Sequence, residues 1–409
     1  MFTRQLHNAD PSKVTKIPDP RVPNYRMGDY GYGKQGVRVF QLKKDGPVHS
    51  VTEFKVNSHM RLRTHKEYYE ADNADIIGSD VQENTIYVHA QRHGLRTPEE
   101  FALTLTQYFL ETYEQVEESN LIVEELAWDR FGEQEHQGYY KGKQHNHAFM
   151  RNSNGTHGCE VVRTRQGPPL LIGTFYGLRV VKTARAPFTG YVKGDMFSEG
   201  DMDDRILCTD INARWQYSKV VDIDFKTHWL KVRDLILQSF AGDPEKGVII
   251  TSVQYAAYVA ERAVLDAIPE ICSISISLPN YKHFPFDFSR FPPIEPKANV
   301  IIANPADTPL GLGYAQLDRL EKILQSFAGD PEKGVIITSV QYAAYVAERA
   351  VLDAMPEICS ISISFPNYRH FPFDFSRFPP IEPKANVIIV NPAETPLGLG
   401  YAQLDRLEK

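Results

Sequence analysis

Apolar positions recur along this chain with two periods, and the switch between them lays out the architecture. Residues 34–43 and 51–63 alternate apolar and polar side chains around Asp45-Gly46, a pair suited to a tight turn, and predict a β-hairpin. Residues 85–90 form a β-branched and aromatic run and predict another strand. Thr97-Pro98-Glu99-Glu100 then opens a helix: Thr97 caps it, Pro98 suits its first turn, and Glu100 completes a capping box. Phe101, Leu105, Phe109 and Tyr113 follow at four-residue spacing as one apolar stripe. Residues 121–128 return to strand character. The second half repeats the plan, with strands over 171–182 and 210–224, helices over 229–240 and 252–265, and strands over 271–278 and 300–303. Strands, helices, strands, twice over, predict an α+β fold with helices on one face of antiparallel sheets.

A second kind of repeat is written in the residues themselves. Residues 236–322 recur as 323–409, each copy 87 residues long. The copies differ only at Ile268/Met355, Leu278/Phe365, Lys282/Arg369, Ala303/Val390 and Asp307/Glu394. The duplication starts inside a predicted helix. Leu317, Leu320, Leu324 and Phe327 keep helical spacing across the junction and predict a continuous helix there. The second copy lacks an opening hairpin and so is half a module, with a sheet edge in need of a partner. The expected division is a tail (1–27), a first module (28–165), a second (166–322) and the near-identical half-module (323–409). The first copy is expected to dock into the second module, because its helix runs on from Trp229.

Composition narrows the classes of function. Of 409 residues, 42% are hydrophobic, enough for a sizeable core. A net charge of −7 argues against a general nucleic-acid or anionic-membrane binder. Residues 1–23 hold no apolar run, so neither a signal peptide nor a membrane span is expected. Cys159, Cys208, Cys272 and Cys359 form no Cys-x-x-Cys pair. His145 and His147 would share one face of a strand, but no third ligand stands at suitable spacing. The pair is read as a strand-face feature and no metal is expected.

Several segments in order resemble the uricase family. They are Tyr32-Gly33-Lys34-Gln35-Gly36-Val37, Ala71-Asp72-Asn73, Asn84-Thr85-Ile86-Tyr87-Val88, His145-Asn146-His147, Gly177-Leu178-Arg179-Val180-Val181-Lys182-Thr183, Phe188-Thr189-Gly190, Asp204-Arg205, Thr209-Asp210, Ser252-Val253-Gln254 and Asn280. The set spans roughly residues 28–312, and 323–409 match only as a duplicate. The resemblance implies tandem T-fold modules that close into barrels on oligomerisation, with a dimer required and a tetramer expected. It implies oxidation of urate by O₂ and water to 5-hydroxyisourate and H₂O₂ without a cofactor, at sites between chains, and a peroxisomal address, although Ser-Lys-Leu does not end this sequence.

The same resemblance assigns roles, and the side chains suit them. Arg205 would grip the urate anion with a guanidinium fork, and Gln254 would close its opposite edge with an amide donor and acceptor, beside the Val253 backbone N–H. Phe188 would stack on the ring. Lys34 and Ser79 would relay a proton from urate, with His283 completing the relay. Asn280 would hold oxygen. Ser79 and Asp80 would come from the neighbouring chain. Three departures from the family pattern stand out. Ser79 replaces a threonine, which keeps the hydroxyl but loses rotamer restriction and predicts a slower enzyme. Glu199 replaces a leucine six positions before Arg205. Asn280-Tyr281-Lys282-His283 replaces Asn-x-His, so a bulge brings His283 back to the site, or Lys282 substitutes, or the relay is broken; the bulge is the preferred reading. A purine-binding relic and a structural assembly protein are the rival readings.

Overall fold

Secondary structure begins with a short strand, β1 (Tyr25–Met27), followed by the expected hairpin, β2 (Val37–Asp45) and β3 (Val48–Leu62). It turns at Gly46, whose φ of 60° favours glycine. The structure is a computed structural model and describes residues 25–27, 30–70, 72–132, 143–152, 154–193, 200–288, 291, 300–318, 360–364, 370–372, 390–392 and 401–406. The chain divides into two compact units, one of residues 33–63 and 77–328, the other of 1–32, 64–76 and 329–409.

In the larger unit the hairpin leads into helix. A one-turn helix of the other unit, α1 (Lys66–Tyr69), comes first in sequence, then α2 (Ser79–His93) and α3 (Pro98–Thr112). Residues 85–90, expected as a strand, lie inside α2. Gln82, Ile86, His89 and Ala90 are its buried residues, and they share one helical face. Burying that face outweighs the strand preference of Thr85, Tyr87 and Val88, of which Tyr87 and Val88 stay exposed. The Thr97 cap forms as expected: its hydroxyl accepts from the Glu100 N–H at 3.2 Å, an arrangement of about 1 kcal/mol.

The first module is completed by β4 (Val116–Glu125) and β7 (Thr156–Thr164), with the small pair β5 (Trp128–Arg130) and β6 (Phe149–Arg151) between them. The second repeats the order with β8 (Leu170–Lys182), β9 (Leu207–Tyr217), α4 (Phe225–Ala241), α5 (Val253–Ala267) and β10 (Ile271–Tyr281). The pair β11 (His283–Pro285) and β12 (Ala303–Pro305) and the last strand β13 (Gly311–Asp318) complete it. Asp224 caps α4, so the strand expected over 210–224 ends early at Tyr217. Ser252 caps α5, accepting from the Tyr255 N–H at 3.1 Å.

These strands form one open antiparallel sheet in the order β13-β10-β9-β8-β7-β4-β3-β2. Four come from each half of the repeat, joined through β7 and β8. The joint is also held on the helix side. Buried His157 meets Glu99 at 2.9 Å and Glu125 at 3.4 Å, and stacks on Trp229 of α4 at 4.7 Å. The Trp229 indole N–H donates to the Thr174 carbonyl at 3.0 Å. Burial would lower the His157 pKa, but the two carboxylates outweigh it and raise it to about 9.

The helix expected to run through Leu317 is not formed. Leu317 lies in β13 opposite Ile274 of β10. Its Leu-x-x-Leu spacing suggested a helix, but the chain Gly311–Asp318 fills the outer place beside β10, with Leu312 and Tyr314 exposed. Residues 319–327 lie outside the described residues. Residues 300–302, expected as strand, precede β12. It is the first copy that docks: β10 pairs with β9 from Ile271 to Tyr281.

In the smaller unit, β14 (Ser360–Ser364), β15 (His370–Pro372), β16 (Val390–Pro392) and β17 (Tyr401–Arg406) reproduce the first copy. β14 pairs with β17 and β15 with β16, in the registers their counterparts use. The outer edge of β17 pairs with β1. The helices expected in this copy lie outside the described residues. Among the described residues no helix is long and apolar enough to cross a membrane.

Candidate active site

The predicted site residues fall into two groups, both in the larger unit. In the second module, the chain between β8 and β9 folds back so that Phe188 and Met202 exchange backbone hydrogen bonds of 2.7 and 3.0 Å. Asp204 fixes this loop. Its carboxylate accepts from the N–H groups of Ala186 at 2.8 Å, Arg185 at 3.1 Å and Arg205 at 3.1 Å. Those N–H groups, Ala186 first, hold the acid below its ordinary pKa. The Arg185 carbonyl in turn accepts from Ile250 at 2.9 Å, tying the loop to the approach of α5.

Arg205 thereby lies over the face of Phe188, 4.7 Å from its centroid, while one terminal nitrogen donates to the Thr251 carbonyl at 3.2 Å. Its Nε is buried and has no hydrogen-bond partner in the chain. Burial lowers the guanidinium pKa. A buried guanidinium donor left over after the carbonyl bond is what a planar anion with paired acceptors would satisfy. Thr251 leads directly into Ser252, Val253 and Gln254, so the start of α5 stands beside Arg205. Val253 is buried and Gln254 exposed.

β13 presses against that helix start. A Cβ on Gly313 would fall 2.3 Å from Val253 Cγ2 and 3.0 Å from the Gln254 nitrogen, so this close approach requires glycine. Two residues along, Gly311 pairs with Asn280. Asn280 therefore belongs to the same corner as Val253 and Gln254. Beyond it the ladder changes. β10 keeps its register through Asn280, Lys282 stands between strands, and His283 begins the separate pairing of β11 with Pro305. The irregularity is a change of strand, with the opposite chain looping out over 306–310, and the ladder around Asn280 shows no bulge. His283 Nδ1 lies 3.2 Å from the Tyr281 carbonyl. A carbonyl only accepts, so Nδ1–H is the donor in this bond.

The second group belongs to the first module. The Lys34 N–H donates to Ser58 Oγ at 3.3 Å, and the Ser58 N–H donates to the Lys34 carbonyl at 2.8 Å. Ser58 Oγ donates to Gln82 of α2 at 2.7 Å, and the Gln82 amide donates to the Ile77 carbonyl at 2.9 Å. Gly33 makes this fit possible, since a Cβ there would lie 1.8 Å from the Ser58 carbonyl oxygen. Ser79 and Asp80 open α2, both exposed, and Glu83 one turn on forms an ion pair with Lys34 at 2.6 Å.

The two groups do not meet within one chain. Lys34 is bonded to β3, Asn280 lies on β10, and five strand spacings separate these strands. That is roughly 24 Å along the sheet. Thr251, Asp204 and Glu83 were not singled out from the sequence. Asp204 stood in the quoted motif, but Glu83 and Thr251 act across the fold and left no local signal. Glu199 lies outside the described residues. His145 and His147 stand on a loop, their rings edge to face at 4.7 Å, so the strand-face reading is corrected. Among the described residues no group of three or more His, Cys, Asp or Glu could hold a metal ion.

An open antiparallel sheet of two ββααββ repeats defines a tandem T-fold protein. The family profile described as uricase matches residues 30–162, 174–313 and 316–400, the last falling largely on the second copy. The uricase of Drosophila subobscura is 38% identical over 331 residues, covering 77% of this chain and 98% of that protein. The Drosophila melanogaster uricase is 38% identical over 314 residues, covering 72% and 89%. The crystal structure of uricase from Arthrobacter globiformis is similar with a TM-score of 0.64 and 31% identity, covering 75% of this chain and 97% of that one. This chain belongs to the uricase family.

Proposed function

We propose that the protein oxidises urate with O₂ and water to 5-hydroxyisourate and H₂O₂, and that Arg205 over Phe188 is the clamp for the substrate. The observation that carries this reading is the buried, partnerless Nε of Arg205 facing a requirement for acceptors, beside an aromatic face. Urate supplies both a flat ring and adjacent acceptors. Gln254 and the Val253 N–H would take the other edge, and Asn280 would hold oxygen from the neighbouring strand. Lys34, Ser79 and His283 would move the proton. No group in this scheme calls for a metal or an organic cofactor.

The working form would be an oligomer of at least two chains, with a tetramer expected. Both outer strands favour that. β2 exposes Phe40 and Leu42, and β13 exposes Leu312 and Tyr314, each about half exposed or more. Open edges bearing large apolar side chains are suited to pairing with another chain. Pairing β13 of one copy with β2 of another would bring the start of α5 beside the start of α2 and assemble Arg205, Gln254 and Asn280 with Lys34, Ser79 and Asp80.

The test follows urate loss at its ultraviolet band with peroxide detection, a chelator present. The parent should turn over, and Arg205→Ala should lose roughly 3 kcal/mol of transition-state stabilisation or more, about two to three orders of magnitude in kcat/KM. Arg205→Lys should recover little, since an ammonium lacks the fork. Normal turnover by Arg205→Ala removes the assignment.

A further inference from the structure

Lys34 is not an isolated surface lysine. Its Nζ lies 2.6 Å from the Glu83 carboxylate, and both side chains are one-third exposed. Its backbone is held twice by Ser58, and Ser58 is held by Gln82, the residue just before Glu83. Glu83 follows Ser79 by four positions and so lies one turn along the same face of α2. The clamp on the backbone and the ion pair at the tip therefore fix the lysine nitrogen relative to the start of α2 from two sides. The other titratable or charged groups within four positions of Glu83 on α2 and of Ser58 on β3 are Asp80 and Tyr87, and Lys55, His59 and Arg61. The ion pair that Lys34 makes is with Glu83.

We propose that Glu83 is a positioning residue for Lys34: it holds the lysine nitrogen at the start of α2 and is the counter-charge for the ammonium that Lys34 becomes in the relay. The inference rests on the relay reading given above. In the step concerned, the urate N–H bond breaks and its proton goes to Ser79 Oγ while the Ser79 proton passes to the neutral Lys34 amine. Urate gains one negative charge, Lys34 becomes an ammonium, Ser79 is unchanged, and Glu83 stays a carboxylate throughout. No electrons are transferred. The carboxylate has two effects: it stabilises the ammonium formed, and it holds the lysine nitrogen where the Ser79 proton can reach it.

The experiment measures kcat and KM for urate oxidation for the full-length parent, Glu83→Gln, Glu83→Ala, Glu83→Asp and Lys34→Met, with thermal unfolding as a check on folding. Glu83→Gln keeps a polar group of the same shape and loses the charge. Its kcat should fall about tenfold, with KM for urate within about twofold of the parent. Glu83→Ala should lose as much or more, and Glu83→Asp, which keeps the charge, should recover most of the loss. A Glu83→Gln enzyme with parental kcat overturns the proposal, as does one whose KM and unfolding midpoint move together with kcat, which a merely structural role would give. If Glu83→Gln fails to fold, Glu83→Asp against Glu83→Ala carries the test, with recovery by aspartate expected and none overturning the proposal. A parental Lys34→Met enzyme would sink the relay reading itself, a result distinct from an unmoved kcat in Glu83→Gln.

Discussion

The two ends of the eight-stranded sheet are built on one plan and left in opposite electrostatic states. At the β2 end, the groups that hold the lysine are answered from within: Lys34 by Glu83, Ser58 by Gln82, Gln82 by the Ile77 carbonyl. At the β13 end, Asp204 and Ser252 satisfy the backbone of the site, yet the Arg205 Nε is buried without a partner. A leftover buried donor is costly, of the order of 1–3 kcal/mol, and persists where it is used. On the function proposed above, the difference teaches a division of labour: the second-module end would meet the substrate charge, the first-module end would handle the proton, and neither end alone would be a complete active site.

The largest effect should come from recombining the ends. Lys34→Met and Arg205→Ala should each be nearly inactive alone. Unfolded together and refolded, they should regain roughly a quarter of parental activity, because half the dimers would be mixed and each mixed dimer holds one site with both halves intact. The assay is peroxide release from the mixture against each variant refolded alone. No recovery, from oligomers shown to be mixed, would mean that one chain completes its own site despite the strand count.

How much of this was readable in the sequence divides along the same line. The β13 end was legible because its residues lie in short local motifs: Asp204-Arg205 is one turn of chain, and Ser252-Val253-Gln254 is a cap with the two residues it serves. The β2 end was harder. Its helix was read as a strand, because Thr85, Tyr87 and Val88 prefer strands, and only the burial of Gln82, Ile86 and His89 on one face reverses that. At the end of β13 the spacing of Leu317 and Leu320 suggests the start of a helix, whereas the place of Leu317 depends on β10, about forty residues back in the chain. β7 went unread, since Gly158 and Cys159 interrupt its pattern. The Lys34–Glu83 and Arg205–Thr251 contacts join residues 49 and 46 positions apart, and no local period reports them.

A middle-sized effect concerns what keeps the two ends on one rigid sheet. His157 joins Glu99 and Glu125 of the first module to Trp229 of the second. Its pKa rises from 6.5 to about 9 on folding, so its stabilising contribution is complete below pH 6.5 and is lost as pH rises through about 9. Denaturant midpoints for the parent should therefore fall across that window, and His157→Ala should flatten this part of the profile. Removing one partner of a buried ion pair should also cost about 3–5 kcal/mol below pH 6.5. A variant that keeps the parental slope would place the titration elsewhere.

The smallest effect should follow removal of residues 323–409. The second copy repeats Gln254, Asn280 and His283 as Gln341, Asn367 and His370, but it carries no counterpart of Arg205 or Phe188, so it lacks the clamp. Nor should it replace the first copy beside β9. Leu278 is 3% exposed there, and the second copy offers Phe365 instead. Forcing a larger ring into that place should cost about 1–3 kcal/mol, which favours the first copy by roughly tenfold or more. A chain ending at Lys322 should therefore match the parent in kcat/KM for urate within about twofold. Leu278→Phe in the full chain sharpens the point, since it removes the difference at that position and should let the second copy compete. If the shortened chain were instead strongly impaired while folded, the duplicate would supply part of the working edge, and the roles proposed for Gln254, Asn280 and His283 would have to be reassigned to residues 87 positions further on.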